Sequence, residues 1–175
     1  SFEIIHIGRF VPVKNHSYLI EEFAKLASVK PKVKLNLIGD GPTKPKITKR
    51  VKKLGISKYV KFISSTNEIQ NHLQKASVFV LPSDYEGFSL SLLEAMASGL
   101  VCVVNRAIEE PIEEEANGFK FSLEENALFY CLQDIIDNYP SLERIRESAY
   151  NSVLAFSIDT MAKEYLRFYE KTAND

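Results

Sequence analysis

The stretch PSDYEGFSLSLLEAMASG, Pro82 to Gly99, decides the fold. It follows an unbroken apolar run, Val78-Phe79-Val80-Leu81, which reads as a strand buried on both faces of a parallel sheet. A turn comes next, then a helix predicted from near Ser89 to about Ser98. Ser89 stands at the capping position and Gly99 at the stop. Glu86 precedes the helix and Glu94 lies in its second turn. The helix start offers backbone N–H groups from Gly87, Phe88, Ser89 and Leu90, a natural seat for a phosphate or diphosphate. A carboxylate oxygen accepts hydrogen bonds from paired hydroxyls, as a sugar presents them. An anion seat with a carboxylate on either side suggests a nucleotide-sugar.

The rest of the chain repeats the same unit. Phe2 to Ile7 is an apolar strand ended by Gly8. Leu19, Ile20, Phe23, Leu26 and Ala27 then recur at helical spacing, with Asn15 or Ser17 as the cap. Val33 to Ile38 is the second strand, closed by Gly39-Asp40-Gly41-Pro42, and a helix from Thr43 to Leu54 stops at Gly55. Val60 to Ile63, Val101 to Val104 and Gly118 to Phe121 are further strands, and a short helix spans Ile69 to Lys75. Helices are expected over Leu123–Asn138, Leu142–Ala155 and Ile158–Glu170, the first two parted by Pro140. Six apolar strands alternating with helices predict an α/β doubly wound parallel sheet with helices on both faces and further C-terminal helices. Ligands of such sheets sit at the carboxyl ends of the strands. The loops at Gly8, Gly39, Ile63, Pro82 and Asn105 all leave such ends, so they converge on one rim.

At 175 residues the chain reads as one domain, residues 1–175. The net charge of −1 gives no global field for nucleic acid. Cys102 and Cys131 sit in apolar contexts without C-x-x-C spacing and read as reduced core residues of a reducing, cytoplasmic compartment. The chain opens almost directly in a strand and without Met, which suggests a portion of a longer protein.

On the first loop, Arg9 can grip phosphate oxygens in a fork and Lys14 can add a point charge. Breaking a glycosyl–phosphate bond leaves new negative charge on a diphosphate, and fixed cations aimed there lower the barrier. Both residues also fit the ordinary role of surface cations. Gly39-Asp40-Gly41 reads equally as a turn or as a ligand contact. His6 is expected in the core, whereas His16 and His72 are expected on exposed helix faces. From Gly41 to Asn67 there are eight Lys/Arg and no acid. This run is either a solvated basic face or a surface drawn to anionic lipid on the inner membrane.

Two motifs resemble a known family. The segment from Glu86 to Glu94, set in strand-PS-x-x-EGF-x-x-x-x-LEAMA-x-G-strand, resembles the E-x7-E signature of retaining glycosyltransferases of family 4. These have the GT-B architecture of two Rossmann-like domains. Gly8-Arg9 with Lys14 is similar to the family's G-R-x-x-x-x-K loop. The resemblance implies the Rossmann-like, C-terminal donor-binding domain of such an enzyme, with the N-terminal acceptor domain outside this chain. It implies transfer of a hexose from a UDP- or GDP-sugar to a glycan or lipid-linked saccharide, with retention, in cell-surface polysaccharide synthesis. Arg9, Lys14 and Glu86 would then serve catalysis. Gly8, Gly39, Asp40, Gly41, Ile63, Ser64, Gly87, Phe88, Ser89, Leu90 and Glu94 would hold the donor, with Glu94 on the ribose and the Ile63-Ser64-Ser65 segment holding the base through backbone groups. No cofactor and no metal are implied, and no Asp-x-Asp is present. The chain departs from the family at Ile63-Ser64-Ser65, where a Gly is usual, and at Arg106-Ala107, where Gly-Gly is common before an acid matching Glu110. A non-catalytic donor-binding module, and a phosphorylase or epimerase of the same architecture, remain as alternatives.

Overall fold

A computed structural model describes residues 2–87, 89–109 and 111–154. The strands are β1 (Phe2–Ile7), β2 (Val33–Ile38), β3 (Val60–Ile63), β4 (Val78–Leu81), β5 (Val101–Asn105) and β6 (Phe119–Phe121). They form one parallel sheet in the order β3-β2-β1-β4-β5-β6. The chain builds outward from β1 to β3, then returns to lay β4 on the other side of β1. That reversal opens a crevice between the loops that leave β1 and β4.

The helices are α1 (His16–Val29), α2 (Lys44–Lys53), α3 (Ile69–Leu73), α4 (Leu90–Ala97), α5 (Ala127–Asn138) and α6 (Glu143–Leu154). Alternate strand residues feed two separate cores. Ile4, Val78, Val80, Val101 and Val103 pack with α1, α2 and α5 on one face. Ile5, Phe79, Leu81, Cys102 and Val104 pack with α4 and α6 on the other. This is why the strands read as continuous apolar runs: both faces are covered, so the period-two signal vanishes.

The predicted strands all form, within one residue at each end. Helix ends differ more, and each difference has a local cause. The helix expected from Leu123 begins at Ala127, because Asn126 takes a left-handed conformation (φ 67°) just before it. Tyr139–Leu142, around Pro140, forms a 3-10 turn, and α6 starts at Glu143. Asn15 does precede α1, but neither its side chain nor that of Ser17 caps the helix. Asn15 is left-handed (φ 51°) and its amide reaches across the crevice instead. Ser89 likewise occupies the N-cap position of α4 without a side-chain cap; its hydroxyl lies 3.3 Å from that of Ser91. The helix expected over Ile158–Glu170 lies outside the described residues. Among the described residues no helix is long and apolar enough to cross a membrane.

Candidate functional site

The rim at the strand carboxyl ends is laced together by backbone bonds. Gly8 N donates to Ile38 O (3.0 Å), Phe10 N to Asp40 O (3.0 Å), Gly39 N to Ile63 O (2.9 Å) and Thr43 N to Phe10 O (3.1 Å). Two glycines make this approach feasible. A Cβ on Gly39 would meet Gly8 O at 2.2 Å, and one on Gly41 would meet Phe10 O at 2.5 Å. The Gly-x-Gly turn therefore carries a packing duty whether or not it touches a ligand. Phe10, fully buried in the middle of a loop, pins the Gly8–Lys14 segment to the core.

A cleft of about 410 Å³ opens over these loops, lined by residues of β1, β2 and the segment after β3, including Gly8, Arg9, Gly39, Asp40, Ser65 and Thr66. Arg9 is exposed and its guanidinium makes no ion pair among the described residues. Asp40 is already engaged: Lys44 Nζ lies 2.7 Å from Oδ1, and Ser65 N donates to Oδ2 at 2.8 Å. The bonds from Lys44 and Ser65 hold its carboxyl below the usual range. Asp40 thus fixes the segment after β3 against the cleft. Gly41 is not among the residues that line this cleft; it lines a different groove, with Lys44, Lys49 and Lys52.

On the other side of the crevice the loops after β1 and β4 are joined by four contacts. Lys14 Nζ lies 2.5 Å from Glu86 Oε1. Asn15 Nδ2 donates to Pro82 O (2.9 Å) and Asp84 Oδ1 (2.7 Å), and Asp84 N donates to Val13 O (2.9 Å). The aliphatic stem of Lys14 runs beside Gly8, its Cδ 3.6 Å from where a Cβ on Gly8 would stand. Lys14 and Glu86 are not among the residues that line the cleft; Lys14 approaches it only through its stem beside Gly8, which does line it. Beyond it, Gly87 and Leu90 are exposed, and the amides of Gly87, Ser89 and Leu90 make no hydrogen bond among the described residues. Unpaired amides at a helix start favour an anion.

The expected residues do not all converge. Ser64 faces solvent and does not line the cleft, whereas its neighbour Ser65 does. Glu94 is exposed on α4, and its carboxylate makes no hydrogen bond or ion pair among the described residues. Phe88 and Glu110 lie outside the described residues. Arg106 is exposed, with its amide bonded to Phe121 O at 2.7 Å.

Sequence reasoning missed the floor of the site. His6 is buried as expected, with Nδ1 2.8 Å from Val80 O. His16, expected on an exposed face, is buried too, its ring stacked on Phe10 at 4.0 Å and edge-on to His6 at 4.7 Å. Burial pushes His6 down to about 4, against the opposing pull of its Val80 bond. Burial, helped by His6 and Lys14, pushes His16 down to about 2. A helix's first residue carries no reliable face signal, so periodicity could not reveal this. An isolated Phe10 in a loop was the available hint.

Comparison with known proteins gives this geometry its context. The sequence profile described as "Glycosyl transferases group 1" matches residues 1–152. N-acetyl-alpha-D-glucosaminyl L-malate synthase of Bacillus anthracis is 30% identical over 179 residues, covering 98% of this chain and 46% of that protein. Among solved structures, HepE of Anabaena in complex with UDP and glucose superposes with a TM-score of 0.88 at 22% identity, over 98% of this chain and 48% of that one. The C-terminal domain of a glycosyl transferase group 1 protein (LpcC) from Francisella tularensis superposes with a TM-score of 0.80 at 25% identity, over 90% and 87%. The chain spans less than half the length of the curated relatives it matches. The profile match across most of the chain, on a six-stranded parallel Rossmann-like sheet, places it in the family of group 1 glycosyl transferases.

Proposed function

We propose that this chain is the C-terminal, donor-binding domain of a retaining GT-B glycosyltransferase of family 4. The enzyme transfers a hexose from UDP- or GDP-sugar to a glycan or lipid-linked saccharide in cell-surface polysaccharide synthesis. The observation that carries the reading is the Lys14–Glu86 pair, whose lysine passes Gly8 of a cleft that is also lined by Arg9, a cation without an ion pair among the described residues. Support for the domain assignment comes from the LpcC likeness, which covers nearly all of a C-terminal domain.

The donor diphosphate lies between Arg9, Lys14 and the amides at the start of α4. Glu86 accepts hydrogen bonds from the hexose hydroxyls and so orients its anomeric carbon; Glu94 holds the ribose hydroxyls. The bond from the anomeric carbon to the phosphate oxygen breaks, and its electron pair leaves with the diphosphate. The acceptor hydroxyl oxygen adds to the same face, and its proton passes to the leaving diphosphate, giving glycoside and nucleoside diphosphate. Arg9 and Lys14 neutralise charge that appears only as this bond breaks, so they act on the barrier rather than on binding alone. No resident cofactor or metal is part of this scheme.

The enzyme works in the cytoplasm and meets lipid-linked acceptors at the inner membrane face. The membrane part is supported by Lys46, Lys49, Lys52, Lys53, Lys58 and Lys61, which are exposed and form no ion pair among the described residues. Calorimetric titration of the intact protein with UDP and GDP tests the reading. Affinity for one of them, weakened in Lys14→Ala and Glu94→Ala, is expected; no affinity for any nucleoside diphosphate overturns it.

A further inference from the structure

A row of rings runs beneath the Gly8–Lys14 loop. Phe62 of β3 lies 6.1 Å from Phe10 between ring centroids, Phe10 stacks on His16, His16 stands edge-on to His6, and His6 bonds Val80 of β4. β1 and β4 pair at Ile4–Val78 and Ile5–Phe79. Just past that ladder, the His6 side chain ties the two strands where the crevice opens. The Val80 carbonyl can only accept, so the His6 proton sits on Nδ1 and Nε2 is left a bare acceptor. Nε2 is buried and receives no hydrogen bond among the described residues. It faces the loop: a Cβ placed on Gly8 would lie 3.1 Å from Nε2 and 3.6 Å from Lys14 Cδ. An orphaned buried acceptor carries a desolvation cost that an aliphatic side chain would avoid.

The Lys14 ammonium has three N–H donors and gives one to Glu86. In the donor-binding reading, a diphosphate takes another and competes with Glu86 for the ammonium. We propose that His6 is a positioning residue for Lys14: its Nε2 accepts from the Lys14 ammonium in the donor-bound state and aims it at the leaving group. This inference rests on the donor-binding reading above. It explains three features together: the Nδ1 bond that fixes the tautomer, the orphaned Nε2, and the absence of a side chain at position 8.

The test is titration of the intact protein with UDP and GDP, and with uridine and guanosine as controls lacking the diphosphate. His6→Asn keeps an amide donor near the Nδ1 position and removes the Nε2 acceptor. It is expected to weaken diphosphate binding roughly tenfold, one charged hydrogen bond's worth, while leaving nucleoside binding unchanged. In the double variant with Lys14→Ala, the loss should be no greater than in Lys14→Ala alone. His6→Gln, whose amide oxygen reaches the Nε2 position, is expected to restore diphosphate binding, and stands in where His6→Asn does not fold. An equal loss for diphosphate and nucleoside, a fully additive double variant, or a His6→Gln roughly tenfold weaker for diphosphate than wild type overturns the proposal. A wild-type protein that does not distinguish UDP from uridine, nor GDP from guanosine, removes the donor-binding reading itself; preference for a diphosphate with no response to position 6 removes this inference alone.

Discussion

Lys14 and Glu86 stand 72 residues apart in sequence, yet their side chains meet at 2.5 Å across the crevice between β1 and β4. They are 19% and 13% exposed, so the pair is neither a solvated surface bridge nor a fully desolvated one. With the bonds of Asn15 and Asp84 it joins the loops that leave β1 and β4.

Removing one partner strands the other charge in a part-buried site. Lys14→Met is expected to destabilise the fold by about 1–3 kcal/mol, between the surface and buried limits for ion pairs. The double change Lys14→Met/Glu86→Leu should recover part of that loss. Urea unfolding of the three proteins checks this; equal stability for Lys14→Met and wild type would show that the pair contributes nothing.

The rim glycines should be far less replaceable than a helix-stop glycine. Gly41 has φ 156°, and an added Cβ would press on the Phe10 backbone at 2.5 Å. Gly55 has φ 71°, and a Cβ added there would meet no atom of the described residues within 4 Å. Gly55→Ala is expected to cost about 1 kcal/mol, from the left-handed backbone alone. Gly41→Ala should cost several-fold more, since backbone must move. Melting temperatures of the two variants decide; comparable values would contradict the close approach.

Acid should unfold this protein through its ring row. His6 and His16 are neutral when folded, with pKa values pushed from 6.5 to about 4 and about 2. Between pH 6.5 and 4 the unfolded chain therefore binds more protons than the fold. Stability is full above 6.5 and falls as pH drops through that window, by up to about 1.4 kcal/mol per pH unit for each histidine. His16→Phe keeps a ring against Phe10 and should roughly halve the slope. Urea midpoints measured from pH 7.5 to 5 read it directly; an unchanged slope would mean that His16 is not buried neutral.

Glu22 of α1 is 2% exposed and holds the start of α5. Its oxygens accept from Asn126 N (3.2 Å) and Phe129 N (3.1 Å), while Lys25 Nζ sits 2.6 Å from Oε1. The carboxylate thus caps a helix that lacks a local cap. Glu22→Ala should cost about 1–3 kcal/mol, as two part-buried amides lose their acceptor. Hydrogen exchange should rise first at Asn126 and Phe129; protection there equal to wild type would refute the capping role.

Much of the molecule was legible in the chain itself. Runs such as Phe2–Ile7 and Val78–Leu81 bury side chains on both faces, and that demand is written in composition. Gly55 and Gly99 mark helix stops because their left-handed backbone (φ 71° and 72°) disfavours other residues. Gly8, Arg9, Gly39 and Asp40 were placed on one rim because each follows a strand, and they do line one cleft. What only the tertiary structure decided was the choice of partners. Asn15 could cap α1, but Pro82 and Asp84 come within reach once β4 lies beside β1, and its side chain goes to them. His16 is buried because Phe10 and His6 enclose it, and Glu22 finds amides 104 and 107 residues away. Periodicity and capping are local in the chain, whereas a polar side chain bonds whatever the sheet order brings near, and strand order is not encoded in any one segment.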